Sequence, residues 1–184
     1  MATKSTTRAV KTELNGDEET VAEVKSAKAD KPIVPKDVDL SELITVKSGY
    51  SGKLIYVSPR TRERFVWDNL GDEQEIELRE LRNARSSAKS YFLNNWFMFG
   101  PEFEWVVEYL GMGRYYKNAI KPDEFDDFFE LPADELRKRL TKLTDGQKKT
   151  VGYMARQKVV DGEIDSRKTI STLEEVLNIQ LIEK

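Results

Sequence analysis

The sequence predicts an α+β protein with an N-terminal arm that does not fold alone. Three observations lead there. Residues 1–40 contain no aromatic side chain. Residues 41–82 alternate short β-branched or aromatic runs with Gly- and Pro-containing turns. Residues 83–184 place apolar side chains at helical spacing.

The first segment, residues 1–40, mixes seven Lys or Arg with eight Asp or Glu, and its apolar residues are scattered Val and Ala. Ordering a backbone costs about 1–2 kcal/mol per residue, and this composition has too little apolar surface to offset it. A disordered or partner-ordered arm is the expectation. Within Lys31-Pro32-Ile33-Val34-Pro35 each proline pushes its predecessor out of the α region, so the stretch is extended. Ile33 and Val34, between the two prolines, are its candidate anchors for a partner.

The second segment, residues 41–82, reads as four short strands. Ile44-Thr45-Val46 is β-branched, Lys53-Leu54-Ile55-Tyr56-Val57 is a strong strand signal, and Arg64-Phe65-Val66-Trp67 answers it across the turn Ser58-Pro59-Arg60-Thr61. Gly71-Asp72 makes a second turn, and Gln74-Glu75-Ile76-Glu77-Leu78 alternates polar and apolar as a half-buried strand does. Strands this short suit a small four-stranded antiparallel sheet or an SH3-like barrel. Alternate residues of a strand share a face, so Arg60, Arg62 and Arg64 could line up as a stripe that docks an acidic partner. The nearby Glu63, Glu73, Glu75, Glu77 and Glu80 offer a charge ladder as the plainer alternative.

The third segment, residues 83–184, holds thirteen of the 18 aromatic residues between Tyr91 and Phe129, and the run Tyr91–Phe99 is too short to span a membrane, so it belongs to a core. Phe103, Val106, Val107 and Leu110 repeat at helical spacing up to Gly111. Pro122 and Pro132 each open a helix. Thr144 or Asp145 and then Ser166 are placed to cap the last two, with Val151, Met154, Val159, Ile170, Leu173 and Leu177 inward.

Composition narrows the function. The chain has no His and no Cys, which removes the usual general base, every Ser-His triad, thiolate metal sites and disulfides. The acidic run Glu124, Asp126, Asp127, Glu130 lacks calcium-loop spacing, and Gly111-Met112-Gly113 lacks the third glycine of a dinucleotide motif. No catalytic, cofactor or metal residue is expected, and no membrane span. The first eight residues hold no apolar stretch of a secretory signal, which points to synthesis in a cytoplasm.

One resemblance bears on function. The strand Lys53-Leu54-Ile55-Tyr56-Val57, its turn, the Phe65-Val66-Trp67-Asp68 strand, the Gly71-Asp72 turn and the helix start Glu80-Leu81-Arg82-Asn83-Ala84-Arg85 form a succession. It resembles a pattern in small virion structural or assembly proteins of tailed phages that infect Gram-positive bacteria. The likeness extends over about residues 44–180. It implies a non-enzymatic protein of the virion, made in the host cytoplasm, whose partners are other virion proteins, in repeated copies of a symmetric assembly. Binding would run through the arm and the β segment, with Ile33, Val34, Arg60, Arg62 and Arg64 as contact residues. The alternative is a nucleic-acid-binding regulator built on the C-terminal helices, where Lys148, Lys149, Arg156, Lys158, Arg167 and Lys168 supply positive charge.

Overall fold

The chain from Leu43 to Trp67 makes three strands: β1 (Leu43–Ser48), β2 (Leu54–Val57) and β3 (Arg64–Trp67). β4 (Glu73–Glu77) then runs directly into helix α1 (Leu78–Ser87), and a short helix α2 (Ser90–Leu93) leads to β5 (Phe97–Phe99). The helices that follow are α3 (Glu104–Tyr109), α4 (Gly113–Tyr116), α5 (Phe125–Glu130), α6 (Ala133–Leu140), α7 (Asp145–Val160) and α8 (Arg167–Leu177). The structure, a computed structural model, describes residues 32–182. Residues 1–31 of the expected arm lie outside the described residues.

The protein is α+β, as its sequence predicts. Its strands form two small antiparallel sheets in place of one four-stranded sheet. β1 lies between β4 and β5, and β2 pairs with β3 as a separate ribbon. Both sides of β1 are thus occupied: Ile44 faces Ile76 of β4, and Val46 faces Phe99 of β5. β5 was not expected within the helical segment. It has three residues, all buried, so no two-residue alternation marks it.

The ribbon folds onto the three-stranded sheet through two side-chain bonds. Trp67 Nε1 donates to Val46 O at 2.9 Å, and Gln74 Nε2 donates to Val66 O at 3.0 Å. The chain before β1 also belongs to the fold. Leu78 and Arg79, whose N–H groups open α1 and have no partner within it, donate to Glu42 O and Leu40 O. Val34, Val38 and Leu40 pack against the adjoining core. The segment 32–40 is therefore ordered where the whole of 1–40 was expected to be an arm.

Two hydrophobic cores result. The first runs from Ile44 to Met112 and is rich in aromatics; the second runs from Ile120 to Leu181. They meet where the end of β1 touches the 94–95 turn and α7. Thr150 Oγ1 donates to Gly49 O at 3.2 Å, and Thr144 Oγ1 donates to Asn95 Oδ1 at 2.8 Å. A β-carbon at Gly49 would run into Asn95 O, so only glycine permits this approach.

The helices after Pro132 follow their expected signals. Thr144 and Ser166 accept from Gln147 N and Thr169 N as N-caps, and Leu136, Leu140, Val151, Ile170 and Leu173 are buried. Met154, Val159 and Leu177 are half-buried against the same core.

Candidate protein interface

A sheet edge is a row of backbone donors and acceptors, and how each edge is covered decides where a partner strand can add. The β5 edge is covered: all three of its residues are buried, and Phe97 O accepts the Tyr116 hydroxyl at 2.6 Å. β4 and β3 face one another through Gln74 and Val66. β2 pairs with β3 alone among the described residues.

The register shows which β2 groups face outward. Ser58 N donates to Glu63 O at 2.9 Å, just beyond the Val57↔Arg64 pair. Hydrogen-bonded pairs alternate in an antiparallel ladder, so Tyr56↔Phe65 and Leu54↔Trp67 are bonded pairs. Ile55 and Val57 then turn their backbone groups away from β3. Tyr91 agrees with this, since its hydroxyl donates to Ile55 O at 2.6 Å. The N–H of Ile55 and both groups of Val57 remain for an added strand. Ile55 and Val57 are 37% and 46% exposed, while the alternating Leu54 and Tyr56 are buried. Burial also holds the Tyr91 phenol above its ordinary range, which keeps it a donor.

The hairpin beyond β2 is fixed by the buried Ser58. Its hydroxyl accepts from Arg60 N at 3.2 Å and Thr61 N at 3.0 Å, and its carbonyl accepts from Arg62 N at 3.0 Å. This corrects the expected stripe. Arg60 and Arg62 lie in the turn, Arg62 in the left-handed region at φ 64°, and Arg64 alone stands on a strand. All three are exposed, and none forms an ion pair among the described residues. Arg60 borders a groove of about 220 Å³ shared with Arg79, Glu63, Glu75, Glu77 and Glu80, so this flank carries both signs of charge. Glu80 is buried there and accepts from the Tyr56 hydroxyl at 2.5 Å.

The two proline-flanked residues separate. Ile33 is 90% exposed, whereas Val34 packs on the first core. Successive residues of an extended chain point to opposite sides, so only one could face outward. Ile55 and Val57 were not singled out from the sequence. The signal was present: Leu54-Ile55-Tyr56-Val57 has no polar residue at the positions that alternate outward.

The C-terminal cations are partly committed. Lys158 pairs with Asp126 and Glu163, and Lys168 pairs with Asp134. Among the described residues no group of three or more metal-binding side chains comes together, and no helix is long and apolar enough to cross a membrane. No protein-family model, curated protein or solved structure matches this chain.

Proposed function

We propose that the chain is a non-enzymatic structural or assembly protein of a phage particle that binds other protein subunits. The observation that carries the binding part is the outer edge of β2. It has unpaired backbone groups at Ile55 and Val57, exposed apolar side chains on the same residues, and three exposed arginines just beyond. A partner segment adding here would gain main-chain bonds from the edge, apolar contact from Ile55 and Val57, and charge selection from Arg60, Arg62 and Arg64. Ile33 is a further exposed apolar residue for such contact. The phage setting rests on the sequence pattern of residues 44–180. The arm's share in binding concerns residues 1–31, outside the described residues.

The test replaces both edge residues. Ile55→Lys with Val57→Lys puts charge on an edge without touching the core, a change that discourages strand addition. The doubly substituted protein should keep its circular-dichroism spectrum and fail to enter particles purified from infected cells, in which mass spectrometry finds the parent protein. Absence of the parent from purified particles would sink the setting. Equal incorporation of parent and variant would sink the edge.

A further inference from the structure

The connection between α4 and α5 meets the end of α6 at a pocket of about 200 Å³. Lys117, Asn118 and Ala119 line it from the first, Arg139 and Lys142 from the second. Three of these residues are cations, one is an amide, and none is a carboxylate. Lys117, Arg139 and Lys142 are exposed, and none of them forms an ion pair among the described residues. Two carboxylates lie close along the chain. Glu135, one turn before Arg139 on α6, and Asp145, at the start of α7, are exposed, and neither lines the pocket. Lys117 also borders a second pocket, where Glu104 is held by Lys121 at 2.5 Å and Glu108 lies against Gly113.

Two sides of the pocket are held in place. The Arg139 guanidinium stands 5.3 Å from the centre of the buried Phe128 ring, a contact that leaves its N–H groups for an acceptor. The 117–119 segment is anchored at Ile120, both of whose backbone groups bond to Gln147. Cations at a helix end offset its dipole, but that role does not account for the pocket. The last carbonyls of α6 already accept bonds: Lys138 O from Thr141 Oγ1 at 3.0 Å, Arg139 O from Lys142 N at 3.0 Å and Leu140 O from Leu143 N at 3.2 Å. Lys117 belongs to another element, yet it comes to the same place. Gathering like charges costs energy, and a bound anion would offset that cost.

We infer that this pocket binds a phosphate group carrying two negative charges, that of a phosphate monoester. Arg139 donates two N–H groups to adjacent phosphate oxygens, Lys142 and Lys117 set point charges beside them, and the Asn118 amide donates to a third oxygen. A carboxylate has one charge and two oxygens, too few for three cations and an amide converging on one group. A phosphodiester inside a nucleic-acid backbone also carries only one charge. Ala119 is the one apolar lining residue, so the site grips the phosphate and leaves the rest of its carrier outside. Two carriers fit that description: a small phosphorylated molecule, or the 5′-phosphate at the end of a nucleic-acid strand. The inference does not depend on the β2 edge.

The probes are glycerol phosphate and a short single-stranded oligonucleotide with and without a 5′-phosphate. At constant ionic strength, NMR of the full-length protein titrated with glycerol phosphate should show saturable shifts at residues 117–119 and 139–142. Affinity should fall as pH drops below about 6, because the monoester then takes up a proton while Lys and Arg stay charged. Arg139→Gln should weaken binding by about tenfold or more and Lys142→Gln less. Lys117→Gln should have the smallest effect of the three, and Lys149→Gln, outside the pocket, none. All four positions are exposed, and an unchanged circular-dichroism spectrum would show that the fold survives. Tighter binding of the 5′-phosphorylated strand than of glycerol phosphate, lost when the 5′-phosphate is removed, would assign the site to a strand end. Glycerol phosphate bound as tightly as that strand would assign it to a small carrier. The inference falls if neither phosphate saturates by about 10 mM, or if sodium chloride at equal ionic strength produces the same shifts. It also falls if Arg139→Gln binds as the parent does, or if the oligonucleotide alone binds, equally with and without its 5′-phosphate.

Discussion

The two cores are made of different material. The first joins Tyr56 and Trp67 of the β2–β3 hairpin to Phe92, Phe97 and Phe99 of α2 and β5, a later stretch of the sequence. The second takes mostly Leu, Ile, Val and Phe from α5, α6, α7 and α8, which follow one another. The rings of the first also carry polar atoms that need partners. Trp67 donates to Val46 O, Tyr91 to Ile55 O and Tyr116 to Phe97 O, so these three rings both fill space and hold a strand in place. In the second core one side chain has that double role. Gln147 donates to Ile120 O at 2.7 Å and accepts from Ile120 N at 3.0 Å. The first core depends on long-range register, the second on local helix signals and apolar stripes.

The largest effect expected is at Trp67. Trp67→Ala opens a cavity worth about 3–5 kcal/mol in the first core and removes the indole donor to Val46 O. Urea unfolding measures it. A cost no greater than that of Leu173→Ala, a truncation in the second core, would erase the contrast between them.

Next is Gln147. Gln147→Ala orphans both backbone groups of the buried Ile120, at about 1–3 kcal/mol for each group. Gln147→Glu keeps the acceptor for Ile120 N but loses the donor to Ile120 O, so it should restore only part of the loss. Full restoration would mean that the bond to Ile120 O contributes nothing.

Alkaline pH should separate the cores. Burial raises the Tyr56, Tyr91 and Tyr116 phenols above their ordinary range, and at Tyr56 the Glu80 carboxylate raises it further. All three belong to the first core or pack on it. The unfolded chain releases these protons near pH 10, before the folded chain does. Their contribution to stability is therefore complete below about pH 10 and falls as pH rises above it. Trp67, Trp96 and Trp105 are the three tryptophans, and all lie in or against the first core. Tryptophan fluorescence should thus change at lower pH than the helical signal dominated by α6, α7 and α8. Coincident curves would show that the two cores melt as one.

The same contrast explains how much could be read from the sequence. Thr144, Ser166, Pro132 and the apolar stripes of α6, α7 and α8 were legible because caps and helical spacing are local. β1, β2, β3 and β4 were legible because turn residues bracket them. β5 was not, since a three-residue strand buried throughout has no periodicity, and its place beside β1 is a long-range fact. The arginine stripe failed for a related reason. Arg60 and Arg62 sit in a turn whose shape comes from the Ser58 hydroxyl and a left-handed residue, neither of which alternation reports. The exposed side of β2 was visible as an unbroken apolar run, but only the pairing with β3 shows that it is an edge.

The smallest effect expected compares two helix caps. Ser166 Oγ accepts from Thr169 N at 3.4 Å at the exposed start of α8, while Thr144 Oγ1 accepts from Gln147 N at 3.3 Å at the start of α7. Losing a serine or threonine cap costs about 0.5–2 kcal/mol. Ser166→Ala belongs at the low end, since its one bond is long and water can replace it. Thr144→Ala should cost more, because the same hydroxyl donates to Asn95 Oδ1, and buried Asn95 in turn donates to Tyr115 O at 3.1 Å. That chain of bonds links α7 to the first core. Thr144→Ser keeps both bonds and should recover most of the difference. Equal costs for Thr144→Ala and Ser166→Ala in urea unfolding would show that the Asn95 bond contributes nothing to the junction, which would then rest on the Thr150 bond to Gly49 O and on the close approach of Gly146 to Asn94.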